Sequence, residues 1–93
     1  MNLYATIYTM LDVDLNVKHR PEHIEFLKNL LREGKIVDGM KFPDYYAGGI
    51  QGVLICTANS KEEVKSWFDQ DPVIRAGART FVVRDYLPMQ VKI

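Results

Sequence analysis

The sequence has a single cysteine, Cys56, which excludes an internal disulfide and any zinc cage built from several thiolates. Cys56 follows Leu54 and Ile55 in a strand-like run, where a free thiol packs as a small hydrophobe. No apolar stretch approaches the ~20 residues that cross a bilayer. The amino terminus carries no basic region followed by a continuous apolar run, so it reads as a strand and not as a secretion signal, and the expected location is the cytoplasm. An excess of charge of either sign is also missing. Twelve Lys and Arg balance twelve Asp and Glu, and without a basic field neither nucleic acid nor an anionic membrane is an expected partner. No glycine-rich loop follows a strand to cradle a dinucleotide phosphate, so no cofactor is expected. There is no internal repeat and no low-complexity segment.

What is present is enough for one thin core. Ninety-three residues, 47% of them hydrophobic, fit one domain spanning residues 1–93. Asn2 to Met10 alternates Leu3, Ala5, Ile7 and Thr9 with Tyr4, Thr6, Tyr8 and Met10, a first strand with two largely apolar faces. Asp12, Asp14 and Asn16 are turn formers and predict a polar loop over Leu11 to His19. Aspartates two apart suggest a metal, but the loop lacks the glycine and distal glutamate of a calcium site, so no metal is assigned. Proline suits a first helical turn, so Pro21 predicts a helix from Pro21 to Glu33, ended by Gly34. Lys35 to Phe42 reads as a second strand in which Gly39 marks a bulge or a close approach to the backbone.

The segment Asp44 to Gly49 is a loop, either a hairpin turn or a cover for a pocket. Ile50 to Thr57 is a third strand. Ser60 and Glu63 form a capping-box signature for a second helix that turns Val64, Trp67 and Phe68 inward and stops at Asp71-Pro72. Val73 to Gly77 is a connector. Ala78 to Leu87 alternates as a fourth strand, and Met89 to Ile93 is an extra edge strand or an arm to a partner chain. The order strand, helix, strand, strand, helix, strand is the ferredoxin-like βαββαβ arrangement, an α+β fold with two helices on one face of an antiparallel sheet. The other face would bare Tyr4, Tyr8, Val82 and Tyr86, and a second copy of the sheet is its expected cover, giving a homodimer.

One imidazole stands out. His23 shares a helix face with Leu27 and Leu30, four and seven residues on, so its ring points toward apolar cover. A core-edge histidine hydrogen-bonded to a neighbour or to water is one reading; a proton-transfer group is the other. His19, Tyr45, Tyr46 and Arg79 read as surface or loop residues, and Trp67 as core.

Arg20-Pro21-Glu22-His23-Ile24, Leu31-x-Glu33-Gly34-Lys35-Ile36, Trp67-x-x-x-Asp71-Pro72 and Ala76-Gly77, in this order between Tyr4 and Pro88, resemble the YciI-like (YCII-related) family. The resemblance implies a dimeric ferredoxin-like α/β barrel and an active site built on a histidine–aspartate pair, carried here by His23 and Asp71. A dehydrochlorinase acting on hydroxyquinones belongs to that family. A carboxylate holding one ring N–H would fix the tautomer and leave the other nitrogen free to move a proton. The expected activity is therefore that of a cofactor-free lyase or isomerase on a small cyclic substrate, with Arg20, Tyr8 and Gly39 as substrate-binding residues. The alternative is a non-catalytic dimeric module that binds a small molecule or assists a larger enzyme. Two positions depart from the family pattern: Gly39 is followed by Met40 instead of proline, and Val73 stands where an aromatic is common.

Overall fold

A computed structural model describes residues 1–89, so all but the first residue of the predicted Met89 to Ile93 segment lies outside the described residues. The chain runs β1 (Asn2–Met10), α1 (Val13–Arg32), β2 (Ile36–Lys41), β3 (Ile50–Ala58), α2 (Lys61–Phe68), α3 (Pro72–Arg75) and β4 (Arg79–Asp85). The strands form one sheet in the order β2-β3-β1-β4, every neighbouring pair antiparallel. This is the ferredoxin-like α+β arrangement, with the first and third strands at the centre. No helix among the described residues is long and apolar enough to cross a membrane.

The first helix starts eight residues before the expected Pro21. Asp12 caps it, its Oδ1 accepting the Leu15 amide at 3.0 Å, and Asp14 places a negative charge in the first turn, where the helix dipole favours it. The aspartates read as loop formers are therefore helix-start residues. Pro21 sits in the helix interior. Its missing N–H leaves the Val17 carbonyl without an intrahelical partner, but Pro21 and Val17 are both exposed and water can serve that oxygen. The longer helix buries Asn16, His23 and Leu30, a stripe repeating every seven residues.

Residues paired across antiparallel strands share a face, and pairing joins Tyr8 to Phe81 and Gly52, Thr6 to Val83 and Leu54, and Tyr4 to Cys56. That face meets the helices: Tyr4, Tyr8, Cys56 and Val83 pack in one core with Leu30 of α1 and Val64 and Phe68 of α2. Phe68, fully buried, sets its ring edge against Tyr8 and Phe26 with centroids 5.9 Å away in each case. The aromatic face of β1 is thus inside, opposite to the expectation that Tyr4 and Tyr8 would lie on the uncovered side. The open face instead carries Ile7, which pairs with Val82 on one side and Val53 on the other, while Val53 pairs with Met40. The row Val82, Ile7, Val53, Met40 crosses all four strands, and its outer members are exposed by 53% and 60%.

Glycine is required at position 52 by proximity alone. A Cβ there would stand 2.6 Å from the Met40 carbonyl oxygen of β2, a backbone atom that cannot step aside. At Gly39 a Cβ would meet Leu54 Cδ2 at 2.8 Å; the irregularity in β2 falls before it, between Ile36 and Asp38.

Cys56 is fully buried, and burial pushes its thiol up to about 11. At pH 8 Ellman's reagent should therefore find no reactive thiol in the folded protein and one per chain in denaturant; rapid reaction of the native protein would contradict this burial.

Candidate active site

Three elements meet at Asp71. Phe68 ends α2, and Pro72, with its preset φ, begins the four-residue α3, for which Asp71 is the N-cap. Its Oδ1 accepts the Val73 amide at 3.2 Å. The same fully buried carboxylate holds His23 Nδ1, 2.9 Å from each oxygen, and accepts the Tyr8 hydroxyl on Oδ2 at 2.5 Å. An aspartate before proline thus shapes a helix end and reaches across to α1 with one side chain. Tyr8 stands edge-on to the imidazole, centroids 5.8 Å apart. Burial first, and then the Asp71 charge, raise the Tyr8 phenol well above its ordinary range, so it remains a donor to the carboxylate.

The other ring nitrogen faces Arg79. Nη1 of Arg79 lies 3.3 Å from His23 Nε2 and donates to Gln51 Oε1 at 3.1 Å, while Nε donates to Asn16 Oδ1 at 2.6 Å. These contacts favour one tautomer. A guanidinium has only donors, so Nε2 must present its lone pair; Asp71 receives three donors, so Nδ1 must carry the hydrogen. The hydrogen-bond pattern fits one tautomer of His23, with the hydrogen on the carboxylate side and the lone pair on the arginine side. Arg79 also lies over the Tyr8 ring, Cζ 5.1 Å from the centroid, and burial lowers its tendency to hold its proton.

Beside this cluster opens a cavity of about 350 Å³, at the small end for a ligand site. Tyr8, His23, Gln51 and Arg79 form its polar end, Ile24, Leu27 and Leu54 line it with apolar groups, and Gly39 and the exposed Arg20 also border it. All five sequence candidates are therefore here: His23 and Asp71 in contact, Tyr8 bonded to Asp71, and Arg20 and Gly39 on the cavity wall. Arg79 is a correction. Expected at the surface, it is only 5% exposed and central to the cluster. Asn16 and Gln51 were missed altogether. Of the other polar candidates, His19 pairs with Glu22 on α1 at 3.4 Å, Tyr46 is exposed, and Tyr45 is half-buried in the connection between β2 and β3. Among the described residues no three His, Cys, Asp or Glu side chains come together to hold a metal.

Sheet and site together define a ferredoxin-like α+β protein with a buried histidine–carboxylate pair at the edge of a small cavity. The chain belongs to the YCII-related domain family, whose model matches residues 1–90. A similar solved structure is the 5-chloro-2-hydroxyhydroquinone dehydrochlorinase of Burkholderia phenoliruptrix AC1100 in complex with 2,5-dihydroxybenzoquinone. It is 22% identical, with 91% of this chain and 93% of that chain covered and a TM-score of 0.74. That likeness is one of fold. No curated protein matches the sequence.

Proposed function

We propose that this protein is a small cofactor-free enzyme of the lyase or isomerase type, in which His23 moves a proton on a small cyclic substrate. The observation that carries the reading is the favoured tautomer: Nδ1–H is held by Asp71 at 2.9 Å while the Nε2 lone pair stands at the polar end of the cavity. A base so placed takes a proton from the substrate, and Asp71 steadies the imidazolium that results. In a dehydrochlorination the electrons of the broken bond to hydrogen then expel chloride, a net loss of H⁺ and Cl⁻. In an isomerase the same nitrogen returns the proton at another atom. Tyr8, Arg20 and Gly39 contact the substrate. The enzyme works in the cytoplasm as a homodimer paired through the open sheet face, with no role for nucleic acid or membrane.

A fold-sharing dehydrochlorinase supplies the first substrate to try, 5-chloro-2-hydroxyhydroquinone, with chloride release as the readout. His23→Asn is expected to lower the rate by at least about 10²-fold. Equal rates in the two proteins would remove His23 from the chemistry. A wild type inert both in this assay and in deuterium exchange into hydroxyquinones would favour the second reading, a dimeric binding or accessory module. One feature supports that reading: His23 is only 4% exposed and its Nε2 is already engaged by Arg79.

A further inference from the structure

Arg79 is a buried cation with no anion against it. Its hydrogen-bond partners among the described residues are Asn16, Gln51 and Nε2 of His23, none of them an anion. Among the described residues no carboxylate comes within ion-pair distance of it. Asp71 is the carboxylate of the cluster, and its oxygens are committed to His23, Tyr8 and the Val73 amide. A charge taken out of water is normally paired, because its lost hydration has to be replaced. Nη2 of Arg79 makes no hydrogen bond to a described residue, and yet among the described residues no fully buried side-chain nitrogen lacks a partner. Nη2 is therefore not sealed in, and Arg79 borders the cavity.

The rest of the lining points the same way. Arg20, Lys41 and Arg79 border the cavity and, among the described residues, no Asp or Glu does, although the whole chain is electrically balanced. The positive field is a matter of placement, and it is strongest where water is fewest. Ile24, Leu27 and Leu54 meanwhile offer an apolar wall.

We propose that the cavity selects a small organic anion, an apolar ring bearing one carboxylate-type oxyanion, and that Arg79 is its anchor. This deepens the enzymatic reading, since it names the class of substrate the same cavity takes. Recognition has a second consequence for the base. An oxyanion seated end-on across Nη1 and Nη2 takes over the Nη1 hydrogen that now faces His23 Nε2. The lone pair of Nε2 is then released toward the ligand, so that seating the right charge and freeing the base are one event.

Benzoate and benzamide, equal in shape and different in charge, test this by calorimetric titration of the full chain at low salt. Benzoate is expected to bind at least about 10-fold more tightly. The preference should disappear in Arg79→Gln, return in part in Arg79→Lys, and persist in His23→Asn. In the wild type, benzoate but not benzamide should move the Arg79 Nε–Hε and His23 Nε2 resonances, a result that stands even where Arg79→Gln fails to fold. Equal binding of the two probes, no binding of either, or a preference that survives Arg79→Gln overturns the proposal. A protein that prefers benzoate but turns over no substrate loses the enzymatic reading alone.

Discussion

Asp71→Asn should leave a folded protein whose proton chemistry has fallen by on the order of 10⁴-fold, the scale seen when a buried carboxylate behind a catalytic imidazole is amidated. The reason lies in hydrogen-bond polarity. Asp71 receives the His23 ring N–H, the Tyr8 hydroxyl and the Val73 amide, all donors. An amide of the same shape offers one oxygen and one NH₂. Turned toward His23, the NH₂ forces the ring to carry its hydrogen on Nε2, donor against donor with Arg79, and the base is lost. Turned toward Tyr8, it keeps the tautomer but removes the counter-charge of the imidazolium. The folding cost is about 1–3 kcal/mol, because one donor of the buried set is misfed.

Asp71→Leu is the harsher change. It strands His23 and Tyr8 and removes the cap of α3, and about 3–5 kcal/mol of stability should go with it. Calorimetric melting beside chloride release separates the two effects. An Asp71→Asn protein with wild-type turnover would show that the carboxylate serves only the fold. The sequence could not weigh these roles, since a carboxylate before proline reads as a helix end; only the meeting of α1, α3 and β1 gives it a second task.

How much was legible follows the strength of local patterns. β1 and β4 announced themselves by alternation, β3 by a continuous apolar run, α2 by Ser60, whose Oγ accepts the Glu63 amide at 3.1 Å, and the end of α1 by Gly34, which takes a φ of 73°. Pro21 misled because its preference for first turns outweighed Asp12 and Asp14, which start the helix two turns earlier. That error hid Asn16: only a helix running from Val13 puts it in one stripe with His23 and Leu30. Arg79 had a signal that went unused. It has the parity of Phe81 and Val83, and their face is the buried one. Gln51 had none, since it reaches the site at a break in register between Tyr8 and Thr9, and such a break leaves no trace in composition. The inner face of β1 was likewise undecidable locally, both parities being apolar. The aromatic side is the one that packs with Phe68 and Leu30.

Val82→Lys should turn a dimer into a monomer, and Val82 itself does not border the cavity. Val82 is half exposed in the single chain, so the monomer's stability should change by no more than about 0.5 kcal/mol. In the paired state the row Val82, Ile7, Val53, Met40 faces its own image, and a two-fold axis presents every substitution twice. Two lysines forced into an apolar contact at about 2 kcal/mol each weaken pairing by about 4 kcal/mol, close to 10³-fold in Kd. Light scattering on a sizing column should give the wild type twice the chain mass of 10.7 kDa and the variant a single chain mass. A wild type that elutes at one chain mass across the accessible concentrations leaves the open face without a partner copy. Because His23, Asp71 and Arg79 all lie on the helix side of the sheet, the monomeric variant should keep their cluster intact. Its turnover then measures whether pairing serves the chemistry or only covers the apolar row.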